Sequence, residues 1–173
     1  MTADPSALPG VVYGAIERHG DERGSFRELW RAGQFPAARF VQANLSTSAA
    51  GVLRGLHLHR RQDDLWVVGE GRALVALVDV RPRINDTGPA VVETREVPAD
   101  GWVYIPTGVA HGFLALEPLQ LVYLVTNEYD GSDELGFAWD DPSVGGPWPT
   151  MTGTPDGRPI LSGRARAIPP RAA

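Results

Sequence analysis

The chain has 173 residues, 43% apolar and 21% charged, with a formal charge of −5, which fits one soluble domain spanning 1–173 with a sizeable core. The negative balance leaves no basic footprint for nucleic acid, and no apolar run reaches the roughly 18 residues of a membrane helix. There is no cysteine, which excludes disulfides, thiolate catalysis and Cys-ligated zinc. The stretch MTADPSALPG has neither the basic nor the apolar region of a signal peptide, so a cytoplasmic protein is expected.

Twenty glycines and 15 prolines are scattered between short Val, Leu, Ile and Tyr runs. That pattern predicts short strands joined by turns, in an all-β sandwich or barrel. Residues 11–17 read as a first strand. A polar turn follows at Asp21–Gly24, then a strand with Phe26, Glu28 and Trp30 on one face. Arg23 reads either as a solvated loop arginine or as a guanidinium offered to a phosphate or carboxylate. Residues 31–39 fit a short helix or a loop equally. FVQANLSTS (40–48) alternates apolar and polar residues, so Gln42, Asn44 and Ser46 share a face.

The densest chemistry lies in residues 51–71, GVLRGLHLHRRQDDLWVVGEG. If Leu56 and Leu58 point into a core, His57 and His59 share the opposite face of one strand. Arg54 falls on the wrong face for their company unless the backbone bulges at Gly55. Asp64 follows a polar loop and opens the next strand. Residues 73–82 are almost continuously apolar and predict a buried central strand. Turns at 83–89 and 98–101 flank a strand at 91–97 with one exposed face. IPTGVAHGF (105–113) holds a turn shaped by Pro106 and Gly108, and then His111. The strand at 119–131 carries Tyr123 near its middle and Tyr129 near its end. From 132 onward Gly, Pro and Trp abound without a period, which predicts an irregular arm or lid and disorder in the last dozen residues.

The segments DERGSF, VQANLSTS, GVLRGLH, VDVR, IPTGVAHGF, VYLVTNEY, WDDP, WP and LSGR occur in this order. Together they resemble the dTDP-4-dehydrorhamnose 3,5-epimerase family over almost the whole chain. The resemblance implies a cupin-type double-stranded β-helix and a homodimer in which one subunit's N-terminal segment completes the neighbour's site. It also implies a thymidine-diphosphate 4-keto-6-deoxy-sugar as substrate, no cofactor or metal, and a place in deoxysugar or secondary-metabolite biosynthesis. By resemblance His57 is the base and Tyr123 the acid. Arg23, Gln42, Asn44 and Arg54 hold diphosphate and sugar, Phe26 and Glu28 lie near the nucleotide, and His111 and Tyr129 complete the sugar pocket. On the residues alone, Tyr123 reads as a strand tyrosine buried by its ring.

Three positions depart from the family pattern. Asp64 stands where a lysine usually supplies positive charge near the developing oxyanion, and losing one such donor typically costs about 10²–10³ in rate. Ala165 stands where an aspartate usually orients the catalytic histidine, and His59 where glutamine is commoner. Asp64 could instead pair with His57 and restore the base–carboxylate dyad from a new position. Alternatively, His57, His59, Asp64 and His111 fit a cupin metal pattern, G-x5-H-x-H-x4-[E/D]-x6-G followed by P-x-G-x2-H, with an Fe(II), Mn(II), Ni(II) or Zn(II) enzyme as the consequence. A third reading is a nucleotide-sugar binding protein that has kept the pocket and lost the chemistry.

Overall fold

Strands of three to eight residues, most with one face apolar, stack into two antiparallel sheets in the computed structural model, which describes residues 2–141, 148–149 and 156–166. The strands are β1 (Thr2–Pro5), β2 (Val12–Ala15), β3 (Arg18–Asp21), β4 (Gly24–Arg27), β5 (Gln42–Ser48), β6 (Leu53–His59) and β7 (Asp64–Glu70). After them come β8 (Arg72–Asp79), β9 (Val91–Pro98), β10 (Gly101–Ile105), β11 (Val109–Ala115), β12 (Leu119–Val125) and β13 (Glu134–Gly136). Two short α-helices, α1 (Arg81–Ile84) and α2 (Gly163–Arg166), and a 3-10 turn at Ala32–Gln34 complete the elements among the described residues. The first sheet runs β1-β2-β10-β7-β12-β5 and the second β13-β6-β11-β8-β9, while β3 and β4 form a separate hairpin. This is the double-sheet β architecture expected from the sequence.

Three apolar clusters hold the layers together. Trp66, Val103, Leu121, Val75, Leu77 and Phe113 come from both sheets and meet between them. Leu56, Leu58, Ala76 and Val78 face outward from the second sheet, under Phe137 and Trp148. Leu65, Val67, Trp102 and Leu124 face outward from the first, under Trp30, Phe35 and Phe40. Each fully buried side chain of this size contributes about 1.5–3 kcal/mol. Leu56 and Leu58 do enter a core, but it is the outer one. The interior between the sheets therefore receives His57 and His59.

The register of β6 on β11 settles where Arg54 points. His111 pairs with His57, whereas Phe113 pairs with Arg54, so three steps on β6 match two on β11. The extra residue is a bulge, and it brings Arg54 round to the face of His57. Gly55, at φ +114°, sits at its centre. A Cβ on Gly55 would fall 2.5 Å from the Gly112 Cα, and one on Gly112 would fall 2.8 Å from the Arg54 carbonyl oxygen. Only glycine permits so close a crossing of two backbones.

The structure departs from the expected elements in several places, and the strand expected over 119–131 ends at Val125, short of Tyr129. Polar Thr2–Pro5 forms an edge strand because its backbone pairs with β2. The strand expected to carry Phe26, Glu28 and Trp30 stops at Arg27, since β4 pairs only with β3. Arg81–Ile84 forms a helical turn with proline in its first turn, just where a turn was expected to begin. Glu134–Gly136 adds a strand to the second sheet within the supposedly irregular arm. The rest of that arm falls partly outside the described residues; of the last dozen residues, where disorder was expected, Gly163–Arg166 form a helical turn and 167–173 lie outside the described residues.

Candidate active site

A cavity of about 840 Å³ opens between the sheets where β5, β12 and β7 face β6, β11 and β13. The first sheet supplies Gln42, Asn44, Asp64, Trp66 and Tyr123, and the second supplies Arg54, His57, His59, His111 and Glu134. Period-2 alternation explains the set. On β12 the inward series runs Leu119, Leu121, Tyr123, and on β11 it runs Val109, His111, Phe113. Tyr129 stands at the rim, where its backbone N–H donates to Gln42 Oε1 (2.9 Å) and the Gln42 amide in turn donates to Asn44 Oδ1 (2.9 Å). Arg54 is steadied by donating to Ser48 Oγ (3.1 Å) and to the Thr47 carbonyl oxygen (3.2 Å).

His57 is 38% exposed and presents Nε2 to the cavity, 3.9 Å from Glu134 Oε1. Deeper in, His59 and His111 stack with ring centroids 5.4 Å apart, and the edge of Trp66 meets His111 at 5.2 Å. The Val109 carbonyl oxygen can only accept, so His111 Nδ1, 3.0 Å away, carries the proton and Nε2 keeps its lone pair. Burial holds the His111 imidazole down at about 4 and also lowers His59, so both rings are neutral at pH 7. Burial pushes the Asp64 carboxyl up to about 6, against the pull of His59 and of hydrogen bonds from Gln62 and Trp66. Burial likewise raises the Tyr123 hydroxyl, with Arg54 opposing, so Tyr123 is a protonated donor at neutral pH.

Three residues expected in the site are elsewhere. Arg23 folds back onto Asp21 at the tip of the β3–β4 hairpin, Glu28 pairs with Arg31 at 2.6 Å, and Phe26 is 68% exposed. None of them lines this chain's cavity.

A family model described as dTDP-4-dehydrorhamnose 3,5-epimerase matches residues 5–172. The chain belongs to this family. It is 37% identical over 147 residues to the spore coat polysaccharide biosynthesis protein SpsL of Bacillus subtilis, covering 83% of this chain and 97% of that protein. Among solved structures, an epimerase from Mycobacterium tuberculosis aligns with a TM-score of 0.84 and 30% identity, over 98% of this chain and 88% of the other. The 3'-monoepimerase ChmJ of Streptomyces bikiniensis, solved with dTDP-quinovose, aligns at 0.79 and 29%, over 96% and 86%.

Within this family frame, two expectations about Asp64 need correction. Asp64 does not pair with His57: across the interior it faces His111 and His59, while His57 stands beside Glu134. Its Oδ2 sits 3.8 Å from His111 Nε2, and Gln62 donates to it at 3.2 Å. The four-residue metal set also shrinks. Donor atoms of His59, Asp64 and His111 all lie within 4.8 Å of one another, and His57 stands outside that group beside Glu134. Ala165 does line the cavity, so the usual aspartate is replaced there by an uncharged methyl. Glu134 and Gln62 were missed by sequence reasoning. Glu134 lies in a three-residue strand, too short for alternation to show, and Gln62 lies in a polar loop that reads as solvated.

Proposed function

We propose that this protein is an epimerase acting on a dTDP-4-keto-6-deoxy-sugar, with His57 as base and Tyr123 as acid at C3, C5 or both. The observation that supports it is that these two side chains line one cavity from opposite sheets, where they can meet opposite faces of a sugar ring. A C4 ketone acidifies the protons on its neighbours, so a neutral imidazole can remove one and leave an enolate. Return of a proton from the far side by a phenol inverts the carbon. Gln42, Asn44, Arg54, His111 and Tyr129 line the same cavity and are the sugar and diphosphate contacts in this reading. Arg54 is the one cationic side chain lining it among the described residues. Glu134 Oε1, 3.9 Å from His57 Nε2, puts a carboxylate beside the imidazolium that forms when His57 takes the proton.

Arg23, Phe26 and Glu28 fit the same reading through a homodimer, their hairpin reaching the nucleotide end of the neighbour's cavity. The exposure of Phe26 on a hairpin outside both sheets supports this. No helix among the described residues is long and apolar enough to cross a membrane. A charged nucleotide sugar does not cross a bilayer unaided, and a cytoplasmic enzyme is the corresponding expectation.

The test is solvent-deuterium incorporation into dTDP-4-keto-6-deoxyglucose. Wild-type protein should label C3, C5 or both, and His57→Ala should reduce labelling by about 10²–10⁴-fold. Wild-type protein that binds the nucleotide sugar without labelling it would replace the enzyme reading with the binding-protein one.

A further inference from the structure

We infer that His59, Asp64 and His111 form a site for one divalent transition-metal ion at the floor of the cavity. The three are buried, at 8%, 3% and 4% exposure, and come from three strands in two sheets. One donor atom from each lies within 4.8 Å of the other two. A metal about 2.1 Å from each donor draws such atoms to roughly 3–3.4 Å, so closure asks for movements of about 1–2 Å. Two imidazoles and one carboxylate, with the remaining positions open, suit Fe(II), Mn(II) or Zn(II).

The surroundings of the three side chains argue for a cation more than their proximity does. His111 Nδ1 donates to the Val109 carbonyl oxygen, so its Nε2 lone pair faces Asp64 Oδ2 across 3.8 Å. Two acceptors face each other there, too far apart for a hydrogen bond between them. A positive centre between them satisfies both. On the far side of the stack, His59 Nδ1 is buried without a hydrogen bond and lies 4.0 Å from Asp133 Oδ2. A carboxylate on that side favours the tautomer with the proton on Nδ1 and the lone pair on Nε2. Gln62 fixes the Asp64 carboxylate, completing the outer contacts that metal-binding side chains ordinarily have.

The ion has a role in the reaction proposed above, and this clause rests on that reading. Position 64 is where the family usually carries a lysine, and a carboxylate with a divalent ion puts positive charge back beside the sugar. An open coordination position facing the cavity would polarise the C4 carbonyl and hold the enolate oxygen.

The experiment is a titration of the chelator-stripped full chain with Co²⁺, read by its visible absorption, with metal content measured after dialysis against Zn²⁺. One equivalent should bind. Asp64→Asn and His59→Gln should weaken binding by about 100-fold or more, Gln62→Leu by about 10–100-fold, and His19→Gln, an exposed histidine, should leave it unchanged. Circular dichroism confirms that each variant is folded, and Asp64→Lys offers a second removal of the carboxylate. Absence of binding at millimolar Co²⁺, or binding that survives both Asp64→Asn and His59→Gln, overturns the site. Because binding is read without turnover, metal bound by a protein that exchanges no deuterium would sink the epimerase reading and leave the site standing. Deuterium exchange by a protein that binds no metal would do the reverse.

Discussion

The space between the two sheets has two unlike halves. Under β8 and β10 the inward series is Ala73, Val75, Leu77 and Val103, Ile105, all nearly inaccessible to solvent. Under β6 and β12 it is Arg54, His57, His59 and Leu121, Tyr123, open to a cavity. Strands β7 and β11 belong to both, each passing from ionisable to apolar residues, Asp64 to Val68 and His111 to Ala115. The same alternation and the same sheet geometry thus serve opposite ends. One half stabilises the fold, and the other holds desolvated acceptors at the expense of stability.

Three substitutions bear on this contrast. Tyr123→Phe keeps the ring and removes the acid, so deuterium exchange should fall by about 10²–10⁴-fold while the melting temperature barely moves. A comparable loss of stability with activity retained would put Tyr123 in the wrong half. Leu77→Ala, in the dry half, should do the opposite, costing about 2–5 kcal/mol in denaturant unfolding with little change in KM.

Asp64→Asn should separate the halves by sign. The raised carboxyl of Asp64 favours the folded protein while it is protonated. That advantage is complete below about pH 4 and lost as pH rises through about 6. This Asp64 contribution, on the order of 3 kcal/mol, is opposed over much the same window by His111 and His59, whose depressed imidazoles add stability as pH rises. It is therefore read from the difference between wild type and Asp64→Asn in the metal-free protein. Asp64→Asn should gain stability relative to wild type as pH rises through about 6 and be the more stable protein at pH 7. A stability difference between wild type and Asp64→Asn that stays constant from pH 4 to 7 would show that Asp64 is better solvated than its burial implies.

Much of this was legible in the chain itself. Alternation placed His57 with His59 and Gln42 with Asn44, and the motif order announced the family. Even the condition for Arg54, a bulge at Gly55, could be written down before any coordinates. Partnerships across the interior could not be. Which imidazole meets Asp64 depends on β7 lying in the sheet opposite β6, and sequence spacing carries no such information. Arg23, Phe26 and Glu28 failed to join the cavity for a similar reason. Their hairpin pairs with itself, and nothing in its residues says which way it points.

The glycine crossing reaches beyond its own strands. RGLH and HGF lie more than fifty residues apart, yet Gly55 and Gly112 are two halves of one interlock. A chimera that imports either motif from a relative with a different partner residue would misplace a guanidinium on one strand and an imidazole on the other. The two segments should be inherited, and engineered, as a single cassette.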